Sequence, residues 1–98
     1  MRPVLHGDAV SAARALLAVP EPARRAMMER LIRAAFAADE YRRETGKCHP
    51  MWGDGTLEVA ARNARLAPEP YLDDPDYCAC LILVFEALLA CRITRACS

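Results

Sequence analysis

Cys48, His49, Cys78 and Cys80 are the residue types that zinc takes as ligands. A structural site needs four nitrogen or sulfur donors in a tetrahedron, and a Cys-His pair joined to a Cys-x-Cys pair supplies them. The spacing argues the other way. Neither pair has the two-to-four-residue gap of a zinc knuckle, and on a helix positions 78 and 80 point roughly 200° apart. The five cysteines, at 48, 78, 80, 91 and 97, are odd in number and include no Cys-x-x-Cys, so neither a disulfide framework nor a dithiol redox centre is expected. Thiols on an apolar helix read more simply as small core hydrophobes. The expectation is therefore no cofactor and no metal, with a zinc-stapled protein using Cys48, His49, Cys78 and Cys80 as the alternative.

Two short stretches gather the other unusual side chains. Residues 47–56 hold His49, Trp52 and Asp54, and residues 71–76 hold Tyr71, Asp73, Asp74 and Asp76. No nucleophile is set beside a base, and no pair of carboxylates has visibly different surroundings, so no catalytic residue is assigned. A rigid aromatic with polar neighbours is what binding hot spots use. His49, Trp52, Asp54, Tyr71, Asp73 and Asp74 are accordingly the candidate partner-binding residues. On this reading Trp52 covers the ends of the second and fourth helices. His49→Ala and Asp54→Ala then leave stability nearly unchanged, whereas Trp52→Ala damages both stability and binding. The second helix carries Arg24, Arg25, Arg30, Arg33, Arg42 and Arg43, a face that could meet phosphate. Intervening acids and an even total charge favour a solvated face instead, so nucleic-acid association is a further alternative. Glu86, alone among apolar neighbours, is expected to pair with an arginine of the second helix or to sit at an exposed edge.

These residues must be positioned by helices. Alanine is abundant, β-branched and aromatic residues are scarce, and the preference is for α structure. Asp8 is expected to cap a first helix, about 8–18, ended by Pro20. Pro22 suits the first turn of a second, about 22–45, with an inward stripe of Met27, Leu31, Ala34, Ala35, Ala38 and Tyr41 and wet-side pairs Arg25–Glu29, Glu29–Arg33 and Asp39–Arg43. Gly46 closes it. A short third helix covers about 56–66. The fourth, about 74–95, is apolar from Tyr77 to Cys91 except at Glu86, the pattern of a helix buried on all sides. Leu81, Leu83, Val84, Phe85, Leu88 and Leu89 are its expected core, packed against the second helix. Fifteen apolar residues interrupted by a carboxylate are too few to span a bilayer.

The whole is 98 residues with no net charge, enough for one domain and without a general drive toward nucleic acid or anionic lipid. The first 47 residues carry a balance of +3 and the rest −3. Segments 7–22 and 55–70 match at seven of sixteen positions, from Gly7/Gly55 to Pro22/Pro70, so the plan reads as two short–long helical hairpins that an internal repeat could relate. The strings HPMWGDGTL (49–57) and EPYLDDPDYCACL (69–81) resemble small helical proteins of unknown function from GC-rich alphaproteobacteria. That resemblance implies a small bacterial protein and transfers no activity or site. With no export signal evident, the expected setting is the reducing cytoplasm. The sequence thus points to an all-α, four-helix, non-catalytic domain that binds a protein partner and leaves a homodimer open.

Overall fold

The computed structural model describes residues 1–97, and side chains as far as Cys91. Four α-helices follow one another: α1, His6–Leu17; α2, Arg24–Thr45; α3, Leu57–Arg62; and α4, Pro75–Cys97. The order is short, long, short, long, and among the described residues there is no strand.

The centre of the molecule is α1. Asp8, Ala9, Ser11, Ala12, Ala13, Ala15 and Leu16 are all buried, so this helix is covered on nearly every side. Its small side chains explain that position. Helix axes approach as closely as the contacting residues allow, and alanines let α3, α4 and α2 all pack against one short helix. Leu16, Met28, Leu31, Leu57, Tyr77, Cys80 and Val84 fill the space around it.

This arrangement corrects the expectation for α4. Its buried residues are Tyr77, Cys80 and Val84, while Leu81, Leu83 and Leu88 are half-buried and Phe85 and Leu89 are exposed. The helix leans mainly on α1 and less on α2, and over residues 77–91, where its side chains are described, the covered residues lie on one face. An apolar sequence records the wish to be buried without saying that this chain alone provides enough neighbours.

Two polar side chains tie the helices together. Asp8 is not the N-cap of α1, which begins two residues earlier. Its carboxylate instead accepts from Leu5 N–H at 2.7 Å and from Glu58 N–H at 2.8 Å, serving the unpaired amides at the starts of α1 and α3 at once. Arg24 does the corresponding work at the other end of α1. Its Nε donates to the carbonyls of Leu16 (3.0 Å) and Val19 (3.2 Å), and its fork holds Asp76 of α4 at 2.7 and 3.1 Å. The Asp76 hydrogen bond raises the guanidinium pKa further, against the opposing effect of burial, so the charge is permanent.

Asp39, expected on the wet side of α2, is buried. Burial alone would raise its pKa, but the Met1 ammonium, Arg42 and Arg43, each 3.2 Å away, outweigh it and hold the carboxyl below its usual range. Gly55 lies against this residue with φ +94°, and a Cβ there would come within 2.8 Å of the Asp39 backbone. Helix α3 is shorter than expected because the chain leaves it at Asn63 to bond α1. Ala67 N–H donates to the Arg14 carbonyl at 3.1 Å, and Arg14 Nε returns a bond to the Ala67 carbonyl at 2.8 Å. The two Pro-Glu-Pro segments also differ. The first enters a 3-10 turn over Glu21–Ala23 that runs into α2, whereas the second lies in residues 65–70, which have no regular secondary structure.

Candidate functional site

The loop between α2 and α3 is built to be rigid. Gly46 takes φ +73°, and its N–H closes α2 on the Arg42 carbonyl. His49 and Gly53 then exchange backbone hydrogen bonds of 2.7 and 3.1 Å, pinching residues 49–53 into a tight turn. Inside it, His49 Nδ1 accepts from Met51 N–H (3.0 Å) and Trp52 N–H (3.1 Å), an arrangement that places the neutral ring's proton on Nε2. The imidazole stacks on Trp52 with centroids 4.4 Å apart and planes 9° from parallel, and it meets Tyr41 of α2 edge-on at 4.9 Å. Asn63 binds the Met51 carbonyl at 2.7 Å, tying the turn to α3. Asp54 accepts from both the N–H and the hydroxyl of Thr56, the N-cap of α3. The Thr56 hydroxyl bond, and more weakly Arg2 at 3.6 Å, lower the Asp54 pKa against a smaller effect of burial.

His49 and Asp54 are therefore hydrogen-bond centres of the turn rather than a free polar rim. The expectation that truncating them leaves stability unchanged is corrected accordingly. Trp52 is also placed differently. It sits with Met51 at one end of a groove between α2 and α3, away from α4. Met27, Leu31, Ala34, Ala60 and Ala64 form the apolar floor, Arg30, Arg33 and Arg65 the rim, and the space is about 820 Å³. Trp52 remains 39% exposed and Met51 68%, so both offer apolar surface to an occupant. Arg30, Arg33 and Arg65 are exposed and have no ion-pair partner within 4 Å among the described residues.

The remaining candidates lie elsewhere. Tyr71 and Asp73 are exposed in the turn before α4, and Asp74 is that helix's cap, accepting from Tyr77 N–H at 3.0 Å. Among the described residues no hydrogen bond or ion pair joins this turn to the Trp52 loop. The zinc alternative is not assembled either, for among the described residues no three His, Cys, Asp or Glu side chains are grouped to hold a metal ion. Cys48 is exposed on the loop, the Cys78 thiol donates a hydrogen bond to the Leu72 carbonyl, and Cys80 faces inward, where burial pushes its thiol pKa up. A thiol so held is a poor ligand and a poor nucleophile. Of the six arginines that could form a phosphate-binding face, Arg24, Arg42 and Arg43 are taken by the internal contacts described above. Glu86 is exposed and lines a cleft between α2 and α4 with Arg25 and Arg33.

Sequence reasoning did not find the groove itself. Arg65 and Met51 carry no pattern of their own, and only the packing of α3 across α2 brings them beside Arg30 and Arg33. No helix of the described residues is long and apolar enough to cross a membrane. A family model described as a domain of unknown function, DUF7742, matches residues 2–88. No curated protein and no solved structure matches the chain.

Proposed function

The chain belongs to the DUF7742 family, and we propose that it is a non-catalytic interaction module whose α2–α3 groove receives an acidic, partly apolar segment of a partner protein. The observation that carries this reading is the pairing of Trp52, stacked on His49, and exposed Met51 with three arginines that have no ion-pair partner among the described residues, around an apolar floor. Rigid aromatic anchors lose little entropy on binding, and arginine is the cation best suited to carboxylates. The opposite charge of the rim selects the partner and speeds encounter. The free thiols fit a reducing bacterial cytoplasm.

Trp52 is the only tryptophan, so its fluorescence reports the groove directly. Titration with a synthetic amphipathic peptide rich in Glu and Leu is expected to shift the emission, and a Lys/Leu peptide of equal length is not. Arg30→Glu combined with Arg33→Glu should weaken the acidic peptide at least tenfold without changing the melting temperature by more than a few degrees. If neither peptide perturbs Trp52, the reading is wrong. Binding of single-stranded RNA with a steep salt dependence, and not of the peptide, would replace it with a nucleic-acid function.

A further inference from the structure

The outward face of α4 carries a second surface, independent of the groove. Cys78, Ile82, Phe85 and Leu89 follow one another at intervals of four, three and four, the spacing of a coiled-coil seam. Ile82, Phe85 and Leu89 are 57%, 52% and 62% exposed, on a helix whose buried residues are Tyr77, Cys80 and Val84. The Cys78 thiol donates to the Leu72 backbone carbonyl at 2.6 Å, which ties the turn that carries this leucine, 71% exposed, to the first residue of the seam. Glu86 is the only charged residue from Tyr77 to Cys91.

We propose that this face pairs with itself, joining two copies of the chain through antiparallel α4 helices. Three properties of the stripe select a second copy. First, it is self-complementary under a two-fold axis. An antiparallel register placing Ile82 opposite Phe85 of the other copy also places Cys78 opposite Leu89, so all four seam positions meet seam positions, as an isologous interface requires. Second, the charges agree with that direction and oppose the parallel one. A parallel pair would set Asp73, Asp74 and Glu86 of one copy beside the same carboxylates of the other, and the antiparallel direction keeps them apart. Third, the area suffices. With residues of this size exposing roughly 200 Å² in full, Leu72, Ile82, Phe85 and Leu89 uncover about 500 Å² per copy. A symmetric pair then buries about 1,000 Å², at the lower bound for a specific interface. Interfaces of that size are found in weak, transient association.

The test is sedimentation velocity of the full chain from about 1 to 300 μM, with circular dichroism to confirm folding. The expected result is a monomer–dimer equilibrium in the micromolar range that Phe85→Asp and, separately, Leu89→Lys shift at least thirtyfold toward monomer. Both changes lie on the exposed face, so helicity should persist, and if one variant misfolds the other decides. Arg30→Glu should leave the equilibrium alone, which separates this proposal from the groove. Register is read by Leu89→Cys under air and copper–phenanthroline, where peptide mapping should find Cys78 linked to position 89 of the other copy. A wild-type chain that stays monomeric at 300 μM overturns the proposal. So does a dimer indifferent to both substitutions, a linkage between two copies of position 89, or a monomer that instead co-sediments with phosphatidylcholine vesicles through Phe85.

Discussion

Replacing Arg24 by methionine keeps the apolar stem and removes the guanidinium that joins α1, α2 and α4. The Leu16 carbonyl, in the last turn of α1, accepts from Val19 N–H at 3.1 Å as well as from Arg24 Nε, which also serves the Val19 carbonyl, so it is the Val19 carbonyl that loses its donor when the guanidinium goes. A hydrogen bond from a charged donor contributes about 1.5–3 kcal/mol, and a buried acceptor stripped of its partner carries its desolvation penalty besides. Asp76 is more than half exposed, so water replaces much of what it loses. The variant as a whole should lose about 2–4 kcal/mol, most of it from the carbonyls. For a domain of this length that is a fall of roughly 10–25 °C in melting temperature. Thermal and urea melts of Arg24→Met, Arg24→Lys and Asp76→Ala, followed by circular dichroism at one fixed concentration, give the comparison. Lysine keeps the charge but cannot serve the carbonyls and the carboxylate at once, so Arg24→Lys should fall between the other two. Asp76→Ala should be the mildest. The reasoning fails if Arg24→Met melts within a few degrees of the wild type. It also fails if Asp76→Ala matches it, because the ion pair would then outweigh the helix cap.

Asp8→Ala leaves the Leu5 and Glu58 amides without their shared acceptor, and a loss of about 1–2 kcal/mol in urea melts is expected; an unchanged midpoint would mean water replaces the carboxylate. Gly55→Ala must accept φ +94° and a Cβ against the Asp39 backbone, so a loss above about 2 kcal/mol should appear in the same assay. Asp39 and Asp54 have depressed folded pKa values, so the stability they give is present above the unfolded carboxylate range, about pH 4, and is lost as pH falls through the lower folded values. The urea midpoint should therefore drop below about pH 4, and Asp39→Asn, weaker at neutral pH, should show a shallower drop; an equal slope in the variant would exclude Asp39 as a source. Phe85→Ala, which a fully buried α4 would have made costly, should remove no more than about 1 kcal/mol from the monomer. A loss above about 3 kcal/mol at low micromolar concentration would mean that its ring is buried within one copy.

The helices were legible in the sequence because their causes are local. Alanine content sets the class, Pro20 and Gly46 mark ends, and the restricted segment around Pro68 and Pro70 forces the break before α4. Which helix lies at the centre was not legible. Hydrophobic pattern measures how much a helix gains from burial, and by that measure α4 comes first. Position in the fold depends also on how closely neighbours can approach, and there the small residues of α1 decide. Sequence alone makes Arg24, Asp8 and Asp39 surface, cap and wet-side residues, because it shows only a charge's neighbours along the chain. Their partners at positions 76, 58 and 1 lie far away in sequence and near only after packing. The candidate site divides in the same way. Trp52 and its loop can be singled out by residue type, since a tryptophan among glycines and a histidine is unusual within a single segment. The groove beside it needs Arg30, Arg33 and Arg65 from two helices, and only tertiary packing brings those together.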